Sequence, residues 1–168
     1  EIPKFSGQTV SDTQEIAIDT KAGDLAVATP RTAAVCSIDR HDLTAGPLAV
    51  SGATTFCNVS ASAMDGEDIV DSKRVLVLHI TNVLNTDMAF AKDNLCDAKN
   101  WGKLPYLAKT GKAKVALKSN VKGLKLYALK SDGSRLREVP ATYAGGIYSF
   151  TVSIDKSSVP TMMYELSK

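Results

Sequence analysis

The chain has few of the residues that catalytic and metal-binding domains usually require. Among its 168 residues there are 2 His, 3 Cys and 1 Trp. An odd number of cysteines without a C-x-x-C pair excludes a dense disulfide framework and paired zinc ligands. No apolar run approaches the ~20 residues that span a bilayer, so we expect no membrane segment. A net charge of +2 is too small for a nucleic-acid surface.

The three cysteines allow two interpretations. They are Cys36, Cys57 and Cys96. Buried thiols that act as small apolar side chains are the preferred interpretation. The alternative is a single bridge, for instance between Cys36 and Cys57 on neighbouring strands. The Asn58-Val59-Ser60 sequon permits N-glycosylation in a cell that has the machinery.

Short runs with period-two alternation and β-branched residues recur along the chain. Glycine-containing turn segments separate them, which is typical of antiparallel meanders rather than βαβ units. The predicted strands are Glu15–Thr20, Asp24–Thr29, Arg31–Ser37, Thr54–Ser62, Arg74–Val83, Lys112–Lys118, Leu124–Leu129, Ile147–Ile154 and Met162–Leu166. We therefore expect 1–168 to be a single all-β domain, a two-sheet antiparallel β-sandwich of jelly-roll or immunoglobulin-like type.

Three segments carry more specific expectations. The run Val75–Ile80 is almost continuously apolar and predicts a strand in the middle of a sheet, covered on both faces. Lysines alternate with apolar residues in Lys112–Lys118, as in a strand with one solvated face. Asp93–Lys99 is the best helical candidate, with one or two turns. The residues predicted to be buried are Val75, Val77, Leu117, Leu126 and Phe150.

The sequence contains no convincing set of catalytic residues. Nucleophilic catalysis requires a Ser or Cys with a base and an orienting acid, and only His41 and His79 could be an imidazole base. We expect His79 to be a hydrogen-bonded core histidine and His41 to lie in a surface loop. The acidic segment Asp65–Asp71 does not follow the EF-hand pattern and is interpreted as a solvated turn. We predict no catalytic residue, no metal site and no cofactor.

One segment has the composition of a sugar-binding loop. Pyranose rings stack on Trp and Tyr, while nearby polar groups bind their hydroxyls. Trp101 is followed five positions later by Tyr106, and Asn100 and Lys103 are hydrogen-bonding neighbours. These four residues form the predicted carbohydrate site. The alternative role of Trp101 is to cap the rim of the sandwich core.

Several blocks in succession cover nearly the whole chain. They are Ser11–Ile16, Thr29–Ala33, Val75–Met88, Trp101–Pro105 and Tyr127–Arg135. Together they resemble the C-terminal accessory β-sandwich of large multidomain bacterial glycoside hydrolases, which is similar to carbohydrate-binding modules. Gln14 and Asp87 stand where this pattern has glycine.

The resemblance implies a secreted or cell-surface polysaccharide-degrading enzyme whose catalytic carboxylates lie in another domain, with this chain as an excised part of it. Two functions follow as expectations. The first is a non-catalytic module that binds a polysaccharide or oligosaccharide. The second is a structural domain that packs on the catalytic domain of the parent enzyme and stabilises it. An exposed Trp101 in a polar groove favours the first, and a large uncovered apolar patch favours the second.

Overall fold

The computed structural model describes residues 7–92, 97–156 and 160–168, and regular structure within them is entirely β. The strands are β1 (Gln8–Val10), β2 (Ile16–Asp19), β3 (Asp24–Ala28), β4 (Thr32–Ser37), β5 (Leu43–Ala45), β6 (Leu48–Ser51), β7 (Cys57–Ala63), β8 (Arg74–Ile80), β9 (Val83–Thr86), β10 (Ala89–Phe90), β11 (Ala98–Asn100), β12 (Lys103–Ala108), β13 (Gly111–Lys118), β14 (Lys125–Leu129), β15 (Arg135–Val139), β16 (Ala141–Ala144), β17 (Ile147–Ile154) and β18 (Met163–Ser167).

These strands form two main antiparallel sheets. The large sheet has nine strands in the order β1-β2-β3-β4-β7-β8-β18-β14-β15, and the small sheet has five in the order β16-β17-β13-β6-β5. Two ribbons, β10–β11 and β9–β12, lie outside these sheets. The predicted all-β antiparallel β-sandwich is confirmed. None of the described residues forms a helix long and apolar enough to cross a membrane.

The hydrophobic core lies between the facing sides of the two sheets. Alternate residues of β4, β7 and β8 from the large sheet meet alternate residues of β6, β13 and β17 from the small sheet. Each fully buried Val, Leu or Phe contributes about 1.5–3 kcal/mol through the apolar surface that it removes from water. The residues predicted to be buried, Val75, Val77, Leu117, Leu126 and Phe150, are all in this core.

Strand β8 lies in the middle of the large sheet, as predicted, but other parts of the chain do not bury both of its faces, although burial of both was also predicted. It lies between β7 and β18, and Val75, Val77 and His79 are buried against the small sheet. The other face is only partly covered, and Ile80 is 38% exposed. The apolar run therefore gives an apolar face that is only partly covered, because no layer of the described chain packs on that side.

The predicted helix at Asp93–Lys99 is wrong in its described part. Residues 93–96 lie outside the described residues, whereas Ala98 and Lys99 belong to β11, which pairs with β10.

Two residues that stand where the resemblance has glycine adopt a backbone conformation that favours glycine. Gln14 and Asp87 have φ angles of 60° and 61°, in the left-handed region that favours glycine.

Candidate functional site

The predicted carbohydrate site lies on the ribbon β9–β12 and the turn before it. Tyr106 pairs with Asn85 and Leu107 pairs with Leu84, with a register shift between Lys103 and Tyr106. Gly102 allows the close approach of the turn to β9, because a Cβ at this position would lie 2.8 Å from the Met88 nitrogen. Its φ of +72° is also one that side chains rarely adopt.

Polar side chains of β9, β11 and β12 hold this turn in place. Asn85 Nδ2 donates to the Trp101 carbonyl at 2.7 Å. Asn100 accepts from the Gly102 N–H at 3.0 Å and donates to the Asp87 carbonyl at 3.2 Å. Lys103 Nζ lies 3.0 Å from Asp87 Oδ2. Asn100 and Lys103 therefore have internal partners, and each keeps further N–H donors beyond these contacts.

The aromatic side chains of the ribbon are open to solvent. Trp101 is 71% exposed and Tyr106 is 69% exposed, so Trp101 does not cap the core as the alternative interpretation expected. Leu104 and Leu107 beside them are also exposed. The ribbon thus presents aliphatic and aromatic side chains together.

The adjacent groove does not unite the four predicted residues. It has a volume of about 490 Å³ and is lined by Asn82, Leu84, Asn85, Asp87, Met88, Leu107, Ala108 and Lys109. Trp101 and Tyr106 are not among its lining residues. The structure therefore places the two aromatic rings on the ribbon surface and the nearest concave, partly polar space beside them.

A second surface, which sequence reasoning missed, covers the side of the large sheet opposite the core. We call it the outer sheet face, and strand register places its side chains next to one another. On β2, β3, β4, β7 and the Leu76–Ile80 part of β8 none of these side chains is charged, although 23% of the chain is Asp, Glu, Lys or Arg. They are Ile16, Ile18, Leu25, Val27, Thr32, Ala34, Cys36, Asn58, Ser60, Ser62, Leu76, Leu78 and Ile80. Arg74 of β8 and Glu165 of β18 lie on the same side and form its charged border.

The outer side of the small sheet, by contrast, carries charged side chains. There Lys112, Lys114 and Lys118 of β13 alternate with buried residues and are exposed, as predicted for a solvated strand. Antiparallel sheets with one wet face normally alternate polar and apolar residues. The outer sheet face keeps polar residues in its centre, on β4 and β7, but has no charged residue between β2 and Leu76 of β8.

A charged cluster, which we call the arginine rim, borders the outer sheet face beyond Leu76. Glu165 Oε1 accepts from Arg74 Nε at 2.7 Å, and Oε2 accepts from Arg135 Nε at 2.9 Å. The Arg135 guanidinium lies 4.0 Å from the centre of the Tyr127 ring. Burial raises the pKa of Glu165, but the hydrogen bonds from the two arginines outweigh it, so this pKa lies below its ordinary value.

An apolar groove lies at the other end of the same strands. It has a volume of about 390 Å³ and is lined by Leu78, Ile80, Leu129, Ser131, Pro160, Thr161, Met162 and Met163. Leu78 and Met163 are directly opposite in the register of β8 and β18. We call it the β8–β18 groove.

The surface histidine pairs with a carboxylate without forming a catalytic triad. His41 Nδ1 lies 2.7 Å from Asp24 Oδ2, and this hydrogen bond raises the pKa of His41. Ser37 Oγ accepts from the His41 backbone N–H at 2.9 Å. The serine therefore contacts the backbone of the histidine, whereas a nucleophile would contact the second ring nitrogen.

His79 is buried as predicted but lacks the predicted hydrogen bond. Its exposure is 0%, and neither ring nitrogen has a partner among the described residues. Burial lowers its pKa to about 4, because the charged imidazolium is poorly solvated in the core. This is a correction to the expectation of a hydrogen-bonded core histidine.

The acidic segment Asp65–Asp71 is organised by its own neighbours. Asp65 accepts from the Ser72 hydroxyl and the Lys73 N–H, both at 2.8 Å. Among the described residues, no group of three or more His, Cys, Asp or Glu could hold a metal ion.

Comparison with known proteins adds no further assignment, because no family model, no curated protein and no solved structure matches this chain.

Proposed function

We propose that this chain is a non-catalytic accessory domain that packs through its outer sheet face on another domain of the same polypeptide. The resemblance to the accessory β-sandwich of glycoside hydrolases points to the catalytic domain of a secreted or cell-surface polysaccharide-degrading enzyme. The single observation that carries the proposal is the uncharged outer sheet face. Large contiguous apolar patches are rare on monomeric proteins and mark interaction sites, and β2, β3 and β8 at the two sides of this face present apolar side chains.

The physical argument is one of solvation. Charged residues are depleted in the cores of protein interfaces, because each would lose its hydration on association. Ile16 and Ile18 of β2 and Leu76 and Leu78 of β8 offer apolar surface that a partner can bury at about 25 cal/mol per Å². Because these side chains stand on paired strands, the face needs little ordering to bind.

The test is calorimetry of the full-length polypeptide that contains this chain. Ile18→Lys introduces a charge at a position that is 43% exposed, so it should cost the isolated chain less than about 0.5 kcal/mol. In the full-length protein we expect it to lower the melting temperature of this domain and to separate its transition from that of the neighbour. Thr151→Lys, on the exposed outer side of β17, is the matched control.

Equal behaviour of Ile18→Lys and Thr151→Lys in the full-length protein would overturn the proposal. A reading frame that encodes no further domain would also overturn it.

Carbohydrate binding is the second candidate function, and the exposure of Trp101 and Tyr106 favours it. An indole and a phenol open to solvent can stack on pyranose rings, with a dissociation constant on the order of 10 μM to 1 mM for soluble oligosaccharides. Because Trp101 is the only tryptophan, its fluorescence reports this site directly. Affinity electrophoresis on a panel of plant and host polysaccharides, repeated with Trp101→Ala, decides this function. Binding that Trp101→Ala abolishes supports it, and absence of binding across the panel removes it.

A further inference from the structure

We propose that the partner surface which covers the outer sheet face carries a carboxylate that pairs with Arg74 and Arg135, beside a large apolar side chain that enters the β8–β18 groove. This inference rests on the proposed docking function and deepens it by naming the chemistry of the partner.

The charge balance of the arginine rim is the first step. Two guanidinium groups share the single carboxylate of Glu165, which leaves one positive charge in excess. The Arg74 and Arg135 side chains are 61% and 46% exposed, whereas the Glu165 side chain is only 9% exposed. A partner that covered this rim without an acid would bury an unpaired charge at high cost. Charge complementarity therefore requires an Asp or Glu on the partner.

The rim is also held in place before any partner arrives. Arg135 stacks on Tyr127 at 4.0 Å, and its Nη2 donates to Ser167 Oγ at 2.7 Å. Glu165 fixes the Nε side of both arginines. A carboxylate that binds such prearranged guanidinium groups avoids much of the side-chain ordering that surface ion pairs normally require.

Strand geometry sets the spacing between the two parts of the site. Met163 in the groove and Glu165 in the rim are two residues apart on β18, and Leu78 and Arg74 are four residues apart on β8. At ~3.3 Å per residue these separations are ~7 Å and ~13 Å. The partner should therefore present its carboxylate and its apolar side chain at a similar distance from each other.

The experiment is hydroxyl-radical footprinting of the full-length polypeptide at low and high salt, read at Leu78 and Met163. Arg74→Gln should increase the labelling of both residues about tenfold at low salt, because it weakens the charge pairing. It should also remove most of the salt dependence seen in the wild type. Arg74→Lys keeps the positive charge but lacks the planar guanidinium group, so its labelling should lie between that of the wild type and that of Arg74→Gln. Lys114→Gln on the small sheet removes an equal charge and should change nothing.

The outcomes separate this inference from the proposed function. Leu78 that stays protected and salt-insensitive in Arg74→Gln would overturn the carboxylate pairing while docking stands. Leu78 that is fully labelled even in the wild type would overturn both. The melting temperature of the isolated Arg74→Gln chain checks that the substitution leaves the fold intact.

Discussion

Cys36 and Cys57 lie on paired neighbouring strands but face opposite sides of the large sheet. The register places Cys36 opposite Asn58 and Cys57 opposite Ser37, so the two residues are offset by one position. Because successive side chains of a strand point to opposite faces, Cys57 enters the core and Cys36 joins the outer sheet face. Both thiols are free, which removes the disulfide alternative.

The two thiols should therefore differ in how fast they react with an alkylating agent. We expect a reducing agent to leave the melting temperature unchanged, and alkylation of the native chain to label Cys36 well before the buried Cys57. Peptide mass spectrometry measures both rates. A Cys36–Cys57 bridged peptide in the native protein would contradict the register.

His79 should make the stability of the domain depend on pH. Its pKa falls from 6.5 in the unfolded chain to about 4 in the core, so the unfolded chain binds more protons between these values. The free energy of unfolding should then drop as pH falls from 6.5 towards 4, by about 3 kcal/mol at most from this residue. Urea unfolding at several pH values should show a shallower acid slope for His79→Leu than for the wild type.

His41 should contribute to the pH dependence of stability with the opposite sign and is therefore the control. Its pKa is raised by Asp24, so its contribution is present at low pH and is lost as pH rises through that raised value. His41→Gln should remove this contribution and leave the acid loss caused by His79 intact. Identical acid slopes for His79→Leu and the wild type would rule out a neutral buried imidazole.

The stability of the ribbon β9–β12 should require glycine at position 102. Gly102→Ala adds a Cβ against the Thr86 carbonyl and the Met88 nitrogen and forces a residue with a side chain to a positive φ, which alone costs about 1 kcal/mol. We expect faster amide exchange in β9 and β12 and a lower melting temperature. Gly133→Ala shares the positive φ but has no atom within 4 Å of the added Cβ, so it should lose less stability and leave the exchange of the ribbon unchanged.

The fold could be predicted from the sequence where residue alternation is clear. β13 and β17 alternate between polar and apolar residues over most of their length and lie within one residue of their predicted bounds. The short pair β5 and β6 was missed because Leu43–Ala45 and Leu48–Ser51 are too brief to show a period. The helix predicted for Asp93–Lys99 was wrong at Ala98 and Lys99. Ala and Lys favour a helix locally, but pairing with β10 determines the conformation of these two residues.

The candidate surfaces could be predicted only in part. The sequence predicted a loop-like setting for Trp101 but left open whether its ring is exposed or caps the core. The outer sheet face could not be predicted, because Ile18, Leu25, Cys36 and Asn58 are separated in sequence and become neighbours only through register. The nearly continuous apolar run Val75–Ile80 was the available signal, since such a run is typical of a strand that is covered on both faces.

The most direct measurement of the central claim compares side-chain exposure in the isolated chain and in the full-length polypeptide. Hydroxyl-radical footprinting followed by mass spectrometry reads Ile18, Leu25 and Leu78 individually, with Tyr143 and Phe150 as internal references. We expect the three residues of the outer sheet face to be labelled in the isolated chain and to become protected in the full-length protein, while the labelling of the references does not change. Equal labelling of Ile18, Leu25 and Leu78 in both forms would contradict it.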